Sequence, residues 1–197
     1  MIIGVSGTPG TGKSTVAAIV ARRLGGVHID LSRLVLEKGF YVDYDRERGS
    51  YVVDEERVRR YLSEEARSRL VVLDSHYAEI APRELVIKVF VLRLNPLKLL
   101  DRLLSRGWPL RKVVENIEAE LLGVCTRNAV DELGPDMVVE VDTTGRSAEE
   151  VADEIIAVLR GRPVPTGTRI DWTTILRPDE LYRLLETIEL GYSTPQM

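Results

Sequence analysis

The sequence contains one cysteine, two histidines and no long apolar run, and these shortages exclude several classes of protein. A single thiol, that of Cys125, cannot form an intramolecular disulfide or a cysteine-ligated metal site, so a reducing, cytoplasmic location is expected. No segment approaches the roughly 18 consecutive apolar residues that a membrane-spanning helix needs. The first residues carry neither a basic segment nor a small-residue cleavage site, so no secretory signal is expected.

An excess of positive charge is also missing. The 27 Lys and Arg residues are outnumbered by 31 Asp and Glu residues, which leaves a net charge of -4. Proteins that bind nucleic acids unaided normally carry a basic surface, so we expect no stand-alone nucleic-acid binding. A basic protein partner would instead meet an opposite electrostatic field. Arg is common while Asn, Gln and Met are scarce, which suits a thermophilic source but follows equally from a GC-rich genome.

Short apolar segments alternate with segments of helical periodicity along the chain. This alternation predicts an α/β fold in which helices cover both faces of a parallel sheet. Residues 1–161 are predicted to form the main domain, and residues 162–197 a tail with one helix. The polar, tyrosine-rich residues 40–53 are predicted to be irregular. Strands are predicted at residues 1–6, 27–31, 70–74, 86–92 and 137–141, and helices at 14–24, 31–38, 54–69, 95–105, 110–133, 147–159 and 178–190.

A phosphate-binding motif lies between the first predicted strand and the first predicted helix. Its glycines, among them Gly10 and Gly12, allow consecutive backbone N–H groups to point at phosphate oxygens, and the helix adds the positive end of its dipole. Lys13 is predicted to contact the β- and γ-phosphates of ATP, Ser14 to bind Mg²⁺, and Thr15 to contact the α-phosphate. A chance Gly-rich turn would not explain the flanking strand and helix. The motif reads Gly7-Thr8-Pro9-Gly10-Thr11-Gly12-Lys13-Ser14.

Two further candidates follow a buried strand. Asp74 ends the apolar segment 70–74, where a Walker-B carboxylate would help to hold Mg²⁺ through water; the alternative is an ordinary aspartate in a turn. His76 is a candidate to orient or deprotonate a water molecule aimed at the γ-phosphate, or else a solvent-exposed loop residue. His28 lies within an apolar strand and is predicted to be structural.

The combination of four segments resembles the adenylate kinase isoenzyme 6 family, a group of atypical nucleotide kinases tied to maturation of the small ribosomal subunit. The resemblance covers residues 1–159, and residues 36–39 and 170–172 are similar to its archaeal branch. It implies a three-layer P-loop NTPase fold of the nucleoside monophosphate kinase type. The segments are the P-loop, Asp74-Ser75-His76, Arg106-Gly107-Trp108 and Glu115-Asn116-Ile117-Glu118-Ala119-Glu120-Leu121.

The resemblance also implies roles outside the P-loop. Residues 30–53 would bind a monophosphate and residues 105–115 would form a short lid. Arg106 would be the lid arginine that closes on ATP, although an arginine also suits the helix C-terminus where it lies. Ordinary adenylate kinases carry an arginine in the acceptor helix where this chain has Leu36. Arg33, three residues earlier on the same helical face, is the candidate substitute.

The resemblance therefore implies an atypical adenylate or nucleoside monophosphate kinase that also hydrolyses ATP, with ATP and Mg²⁺ as cofactors. The implied role is late maturation of 16S rRNA in the pre-30S particle, through transient binding of a small-subunit platform ribosomal protein. The alternatives are an ATP-gated assembly factor with incidental kinase activity and a small-molecule kinase of the shikimate type.

An acidic cluster could contact the basic partner, or it is merely a solvated face. The cluster consists of Asp43, Asp45, Glu47, Asp54, Glu55 and Glu56.

Overall fold

A five-stranded parallel sheet forms the centre of the protein, as the alternating pattern predicts. The structure is a computed structural model that describes residues 1–45 and 50–193. The strand order is β2-β5-β1-β6-β7, and every pairing between neighbours is parallel. The strands are β1 (Ile2–Ser6), β2 (Val27–Asp30), β5 (Val71–Asp74), β6 (Val86–Arg93) and β7 (Val138–Asp142).

Helices cover both faces of this sheet. One face packs against α1 (Lys13–Leu24) and α7 (Ala148–Leu159). The other packs against α2 (Leu31–Lys38), α3 (Glu55–Ser68) and α6 (Val124–Leu133). All five residues of β1 are buried, which is why this strand is an unbroken apolar run rather than an alternating one. The predicted α/β architecture is therefore confirmed.

Two predictions about local structure in the main domain are wrong. The segment 40–53 contains an antiparallel pair, β3 (Tyr41–Asp45) and β4 (Ser50–Val53), instead of irregular chain. Its tyrosines and valines favour extended backbone, and the Tyr51 ring contacts those of Tyr41 and Tyr44 across the pair. Residues 46–49, which include Glu47 of the acidic cluster, lie outside the described residues.

The second error concerns the single helix predicted over residues 110–133. It is two helices, α5 (Leu110–Leu121) and α6, separated at Gly123. Gly123 has a φ of 65°, which is left-handed backbone that glycine adopts without strain. A Cβ at this position would lie 3.4 Å from the guanidinium of Arg93, so the break also makes room for that side chain.

The C-terminal tail packs on the main domain through a third apolar cluster. It contains α8 (Trp172–Ile175) and α9 (Pro178–Ser193), one helix more than predicted. Trp172, Leu176 and Leu184 are buried against leucines of α4 (Pro96–Ser105) and apolar residues of α5. The linker before them is docked as well, because the Gly167 N–H donates to the Val138 carbonyl at 2.8 Å. Among the described residues, no helix is both long enough and apolar enough to cross a membrane.

The packing of the tail predicts unequal effects for two adjacent leucines of α9. Leu184 is fully buried whereas Leu185 is 49% exposed. Leu184→Ala should lower the free energy of unfolding by about 2–5 kcal/mol, since it removes buried methyl groups and leaves a cavity. Leu185→Ala, the control, should cost about 1 kcal/mol or less because much of its side chain already contacts water. Urea denaturation measures both, and equal effects would show that α9 does not belong to the cooperative core.

Candidate active site

The P-loop is a tight turn that only glycine permits at several positions. It connects the end of β1 to the start of α1, and Gly7, Gly10 and Gly12 all have positive φ values, of 134°, 100° and 100°. A Cβ at Gly7 would lie 2.4 Å from the carbonyl oxygen of Leu92, and one at Gly10 would lie 2.7 Å from a methyl group of Leu99. The loop is therefore pressed against β6 and α4, which leaves its concave side for a ligand.

Hydrogen bonds inside the loop converge on the carbonyl oxygen of Thr8. That oxygen accepts from the Thr11 N–H at 3.2 Å, from the Thr11 hydroxyl at 2.8 Å and from Lys13 Nζ at 3.3 Å. Burial lowers the pKa of Lys13, although the nearby carboxylates of Asp74 and Asp30 act in the opposite direction. The lysine is thus held at the cradle, where the negative charge of a phosphate would stabilise the ammonium form that burial disfavours.

Asp74 lies beside the P-loop at the carboxyl end of β5. Burial raises the pKa of its carboxyl group, but His28, Ser14 and the charge of Lys13 outweigh this effect and lower the pKa overall, so the group is ionised at neutral pH. His28 Nε2 lies 3.6 Å from Asp74 Oδ2, which is longer than a hydrogen bond and leaves an electrostatic contact. His28 was predicted to be a structural residue. It lies beside the carboxylate of the candidate site instead.

The surroundings of Asp74 fit a hydrated Mg²⁺ ion. Its Oδ2 atom is buried, and no hydrogen-bond donor of residues 1–45 or 50–193 reaches it. The Ser14 hydroxyl also interacts with this carboxylate and helps to lower the pKa of Asp74. Mg²⁺ at a phosphate site uses one or two protein oxygens together with water and phosphate oxygens. Ser14 and Asp74 supply such oxygens. Thr15, the next residue of α1, is exposed.

His76 lies at the mouth of this site. The preceding Ser75 is buried and its hydroxyl accepts the Tyr77 N–H at 3.1 Å, which orders the turn after β5. The imidazole is solvent-accessible and packs edge-on against the Tyr77 ring, with the ring centroids 4.6 Å apart. Surrounding protein and the charge of Lys13 lower the pKa of His76 despite the opposing charge of Asp74, so the neutral ring is favoured at neutral pH.

Arg102 in α4 and Arg106 in the turn after it differ in their contacts. Arg106 caps the C-terminus of α4, is exposed, and has no side-chain hydrogen bond or ion pair within the described parts of the chain. Arg102, which the sequence interpretation missed, donates from Nη1 to the Gly10 carbonyl at 3.2 Å. Its spacing one turn before Arg106 was the available signal, but the contact depends on how α4 crosses the loop. The predicted lid, residues 105–115, consists of this turn and the start of α5.

Neither predicted acceptor position offers an unpaired positive charge. Arg33 Nε donates to the Glu37 carboxylate at 2.6 Å on the outer surface of α2, and Leu36 is 55% exposed. The acidic cluster is partly neutralised, because three of its members pair with arginines of α3 itself. These pairs are Asp54–Arg57 at 3.1 Å, Glu55–Arg59 at 3.6 Å and Glu56–Arg60 at 3.1 Å. Asp43 and Asp45 lie on β3.

A buried polar cluster lies directly behind the P-loop, and sequence reasoning missed it. Glu120 and Arg93 are each 1% exposed and form an ion pair with 2.8 Å between Nε and Oε1. Glu120 also accepts the Thr8 hydroxyl at 2.7 Å. Nearby, burial raises the pKa of Cys125 to about 11, so this thiol stays protonated. The signal for Arg93 and Glu120 was a charged residue ending an apolar strand or helix face, but sequence alone does not pair them.

Comparison with known proteins agrees with this geometry. The model of the AAA domain family matches residues 3–123, which include the P-loop and Asp74. A protein from Thermococcus onnurineus named "Putative adenylate kinase" is 36% identical over 191 residues, covering 97% of this chain and 99% of its own. A protein of the same name from Saccharolobus islandicus is 39% identical over 157 residues, covering 79% of this chain and 82% of its own.

Two solved structures with the same fold are named as kinases of small molecules. Shikimate kinase from Acinetobacter baumannii, in complex with shikimate, has a TM-score of 0.54 at 23% identity, covering 81% of this chain and 92% of that one. A gluconokinase from Sinorhizobium meliloti has a TM-score of 0.52 at 19% identity, covering 80% and 90%. At such identities the likeness concerns the fold alone. With a P-loop fold and archaeal relatives matched along nearly its whole length, the chain belongs to an adenylate kinase-like family of P-loop nucleotide kinases.

Proposed function

We propose that the protein is an atypical adenylate kinase of the isoenzyme 6 type that transfers the γ-phosphoryl group of ATP to AMP or to water. Transfer to AMP yields two ADP, and transfer to water yields ADP and inorganic phosphate. The observation that carries this proposal is the convergence of Lys13, Ser14 and Asp74 at one edge of the sheet, beside a loop whose glycines leave its concave side open. These three side chains and the loop are the groups that bind a nucleoside triphosphate with Mg²⁺ in P-loop enzymes.

Each residue of the donor site has a separate task in this proposal. Lys13 contacts the β- and γ-phosphates, while the loop N–H groups and Thr15 bind oxygens closer to the ribose. Ser14 and Asp74 would hold Mg²⁺, which when bound neutralises charge on the phosphates. Arg106 is free of partners within the described chain, so its guanidinium is available to close over the phosphates. Arg102 holds Gly10 and supports the loop itself.

His76 is proposed to position the water molecule for hydrolysis. It follows Asp74 by two residues at the mouth of the site, and the ordered turn of Ser75 and Tyr77 limits where its ring can lie. A neutral imidazole can accept a hydrogen bond from water and take up its proton as attack begins. This role needs no contact with the nucleotide in the ground state, which makes it separable from that of Lys13.

AMP is proposed as a weakly held acceptor. The acceptor-helix position that carries an arginine in ordinary adenylate kinases is Leu36, and Arg33 is already paired with Glu37. A charge-assisted contact to the phosphate of AMP, worth roughly 1.5–3 kcal/mol, is therefore missing unless Arg33 leaves its partner. Under this proposal, hydrolysis of ATP is favoured relative to phosphoryl transfer to AMP.

A kinase of the shikimate type shares the fold. Comparing the rates of ADP formation with AMP, with shikimate and with water alone tests this alternative.

The proposed biological role is late maturation of the small ribosomal subunit through transient binding of a basic platform ribosomal protein. The surface that supports it is the β3–β4 pair, which exposes Tyr41, Val42 and Tyr44 beside Asp43 and Asp45. Exposed aromatic and apolar side chains with acidic neighbours suit a partner rich in arginine and lysine. In the alternative version, ATP binding gates this association and kinase turnover is incidental.

Replacement of Lys13 tests the P-loop mechanism. Lys13→Ala should lower both AMP phosphorylation and ATP hydrolysis by at least about 100-fold, because no other side chain of the motif neutralises charge on the γ-phosphate. Lys88→Ala is the control, since Lys88 Nζ contacts the Asp136 carbonyl near the start of β6, away from the loop. Steady-state ADP formation measures both variants. Near-normal turnover in Lys13→Ala would show that the P-loop takes no part in the reaction.

Replacement of His76 separates hydrolysis from binding. His76→Ala should slow ATP hydrolysis by about 10²- to 10⁴-fold, the usual effect of losing a general base, with ATP affinity close to that of the unaltered protein. Phosphate release measures hydrolysis and calorimetry measures affinity. If hydrolysis persisted and only the affinity for ATP changed, His76 would be a binding residue.

Capture of a ribosomal protein tests the proposed biological role. We expect the purified platform protein to bind at low salt, to dissociate as salt is raised, and to bind less tightly with ATP and Mg²⁺. The double change Asp43→Asn with Asp45→Asn should weaken this binding. The matched control is Glu84→Gln with Asp136→Asn, which alters the same net charge at exposed positions before β6 and β7. Equal binding by both double variants would exclude the β3–β4 surface as the contact.

A further inference from the structure

The carboxylate of Glu120 is fixed from three sides in the buried cluster behind the P-loop. Its Oε1 atom accepts Arg93 Nε at 2.8 Å, the Leu94 N–H at 3.1 Å and Trp172 Nε1 at 2.9 Å. These donors come from the end of β6, from the residue after it, and from the C-terminal tail. Three donors on one oxygen leave the second oxygen, Oε2, with a defined position and direction.

That second oxygen holds the P-loop. Glu120 Oε2 accepts the Thr8 hydroxyl at 2.7 Å, and this contact is fully buried. Thr8 is also the residue whose carbonyl oxygen accepts both Thr11 and Lys13. Thr8 thus contacts the buried cluster through its side chain and Lys13 through its backbone carbonyl.

The tail is locked into the same cluster by its backbone. Arg93 Nη1 donates to the Ile170 carbonyl at 3.2 Å, and the Arg169 and Ile170 N–H groups donate to Glu140 Oε2 at 2.6 Å each. Arg93 in turn pairs with Glu140 as well as with Glu120. Trp172 therefore does not merely fill a gap among leucines, because its ring N–H reaches a carboxylate that the loop depends on.

We propose that the C-terminal tail sets the position of the phosphate-binding loop, with Trp172 and Arg93 holding Glu120 and Glu120 holding Thr8. Glu120 is accordingly a positioning residue for nucleotide binding, and the tail is a structural part of the nucleotide site. This inference rests on the proposed function in one respect, namely that the loop binds the phosphates of ATP. The competing explanation is a cluster that stabilises the fold without influence on the loop.

Two substitutions remove one donor each from Glu120 at opposite ends of the connection. Thr8→Val keeps the branched shape and deletes the hydroxyl, while Trp172→Phe keeps an aromatic ring and deletes its N–H. Each should weaken ATP binding about tenfold, since a loop that moves more freely must be ordered by the ligand. Thr8 also interacts with the Cys125 thiol, so agreement between the two variants assigns the effect to Glu120.

Thr126→Val is the matched control. Thr126 is as buried as Thr8, and its hydroxyl donates at 2.6 Å to a carboxylate of the same cluster, that of Glu140. The chemical change, the burial and the type of acceptor are therefore the same, but Thr126 touches neither Glu120 nor the loop and is separated from Glu120 by Glu140 and Arg93. This variant should lose stability comparably and keep the ATP affinity of the unaltered protein. Thr8→Ser, which retains the hydroxyl, should restore most of the affinity that Thr8→Val loses.

The experiment measures the ATP dissociation constant by calorimetry, thermal unfolding, and amide hydrogen exchange of the loop without nucleotide. The expected result is weaker ATP binding and faster loop exchange in Thr8→Val and Trp172→Phe, with less than additive losses in the double variant because both act through Glu120. If Trp172→Phe binds ATP and exchanges its loop amides as Thr126→Val does, the tail does not position the loop and the inference is wrong.

Failure of the proposed function gives a different result. If the unaltered protein bound no ATP, or bound it equally after Lys13→Ala, the assignment of the loop to ATP would be wrong. Hydrogen exchange would still decide the mechanical connection, because it is measured without nucleotide. Where Thr8→Val is too unstable to purify, Trp172→Phe and Thr126→Val alone decide between the two explanations.

Discussion

The buried ion pair between Arg93 and Glu120 is the interaction on which the relative placement of sheet, P-loop and tail depends. Both side chains are 1% exposed, and desolvation of two charges is costly unless their remaining donors and acceptors are also satisfied. Arg93 meets this requirement with Glu120, Glu140 and a tail carbonyl. Burial lowers the pKa of Arg93, but the two carboxylates outweigh burial and raise it, so the guanidinium keeps its charge. The cluster is fully satisfied only when β6, β7, α5 and the tail are all in place.

The parallel sheet explains why the charged groups of the site are concentrated at one edge. β1, β2 and β5 all end there, and the register places Asp30 directly beside Asp74. Two neighbouring carboxylates and the half-buried Lys13 then lie close enough for their charges to interact. The charge of Lys13 favours the ionised form of Asp74, which is part of the cause of its lowered pKa. Lys13 and Asp74 therefore stabilise each other's charged forms before any phosphate arrives.

The two sides of the proposed reaction are built with unequal rigidity. The donor side is made from glycine-restricted backbone and buried hydrogen bonds, which limit its motion. The acceptor side is made from α2, the β3–β4 pair and the start of α3, whose charged residues lie on the surface and pair with near neighbours on the same helix. Exposed pairs of this kind contribute little to stability and exchange partners easily. A site of that kind suits a weakly held acceptor or a protein partner better than a tightly bound small molecule.

The sequence by itself determined the α/β class, the five central strands, the P-loop with Lys13 and Ser14, and the placement of Asp74 at the sheet edge. These features follow from local patterns, since apolar runs, helical periodicity and glycine spacing can each be recognised over a short stretch of chain. It did not determine the β3–β4 pair, because the polar residues of that segment break the apolar pattern by which strands are recognised. It also did not determine the helix break at Gly123. Nor did it determine that Arg102 holds Gly10 or that Trp172 reaches Glu120. Those contacts join residues that are 92 and 52 positions apart, and only the packing of α4, α5 and the tail brings them together.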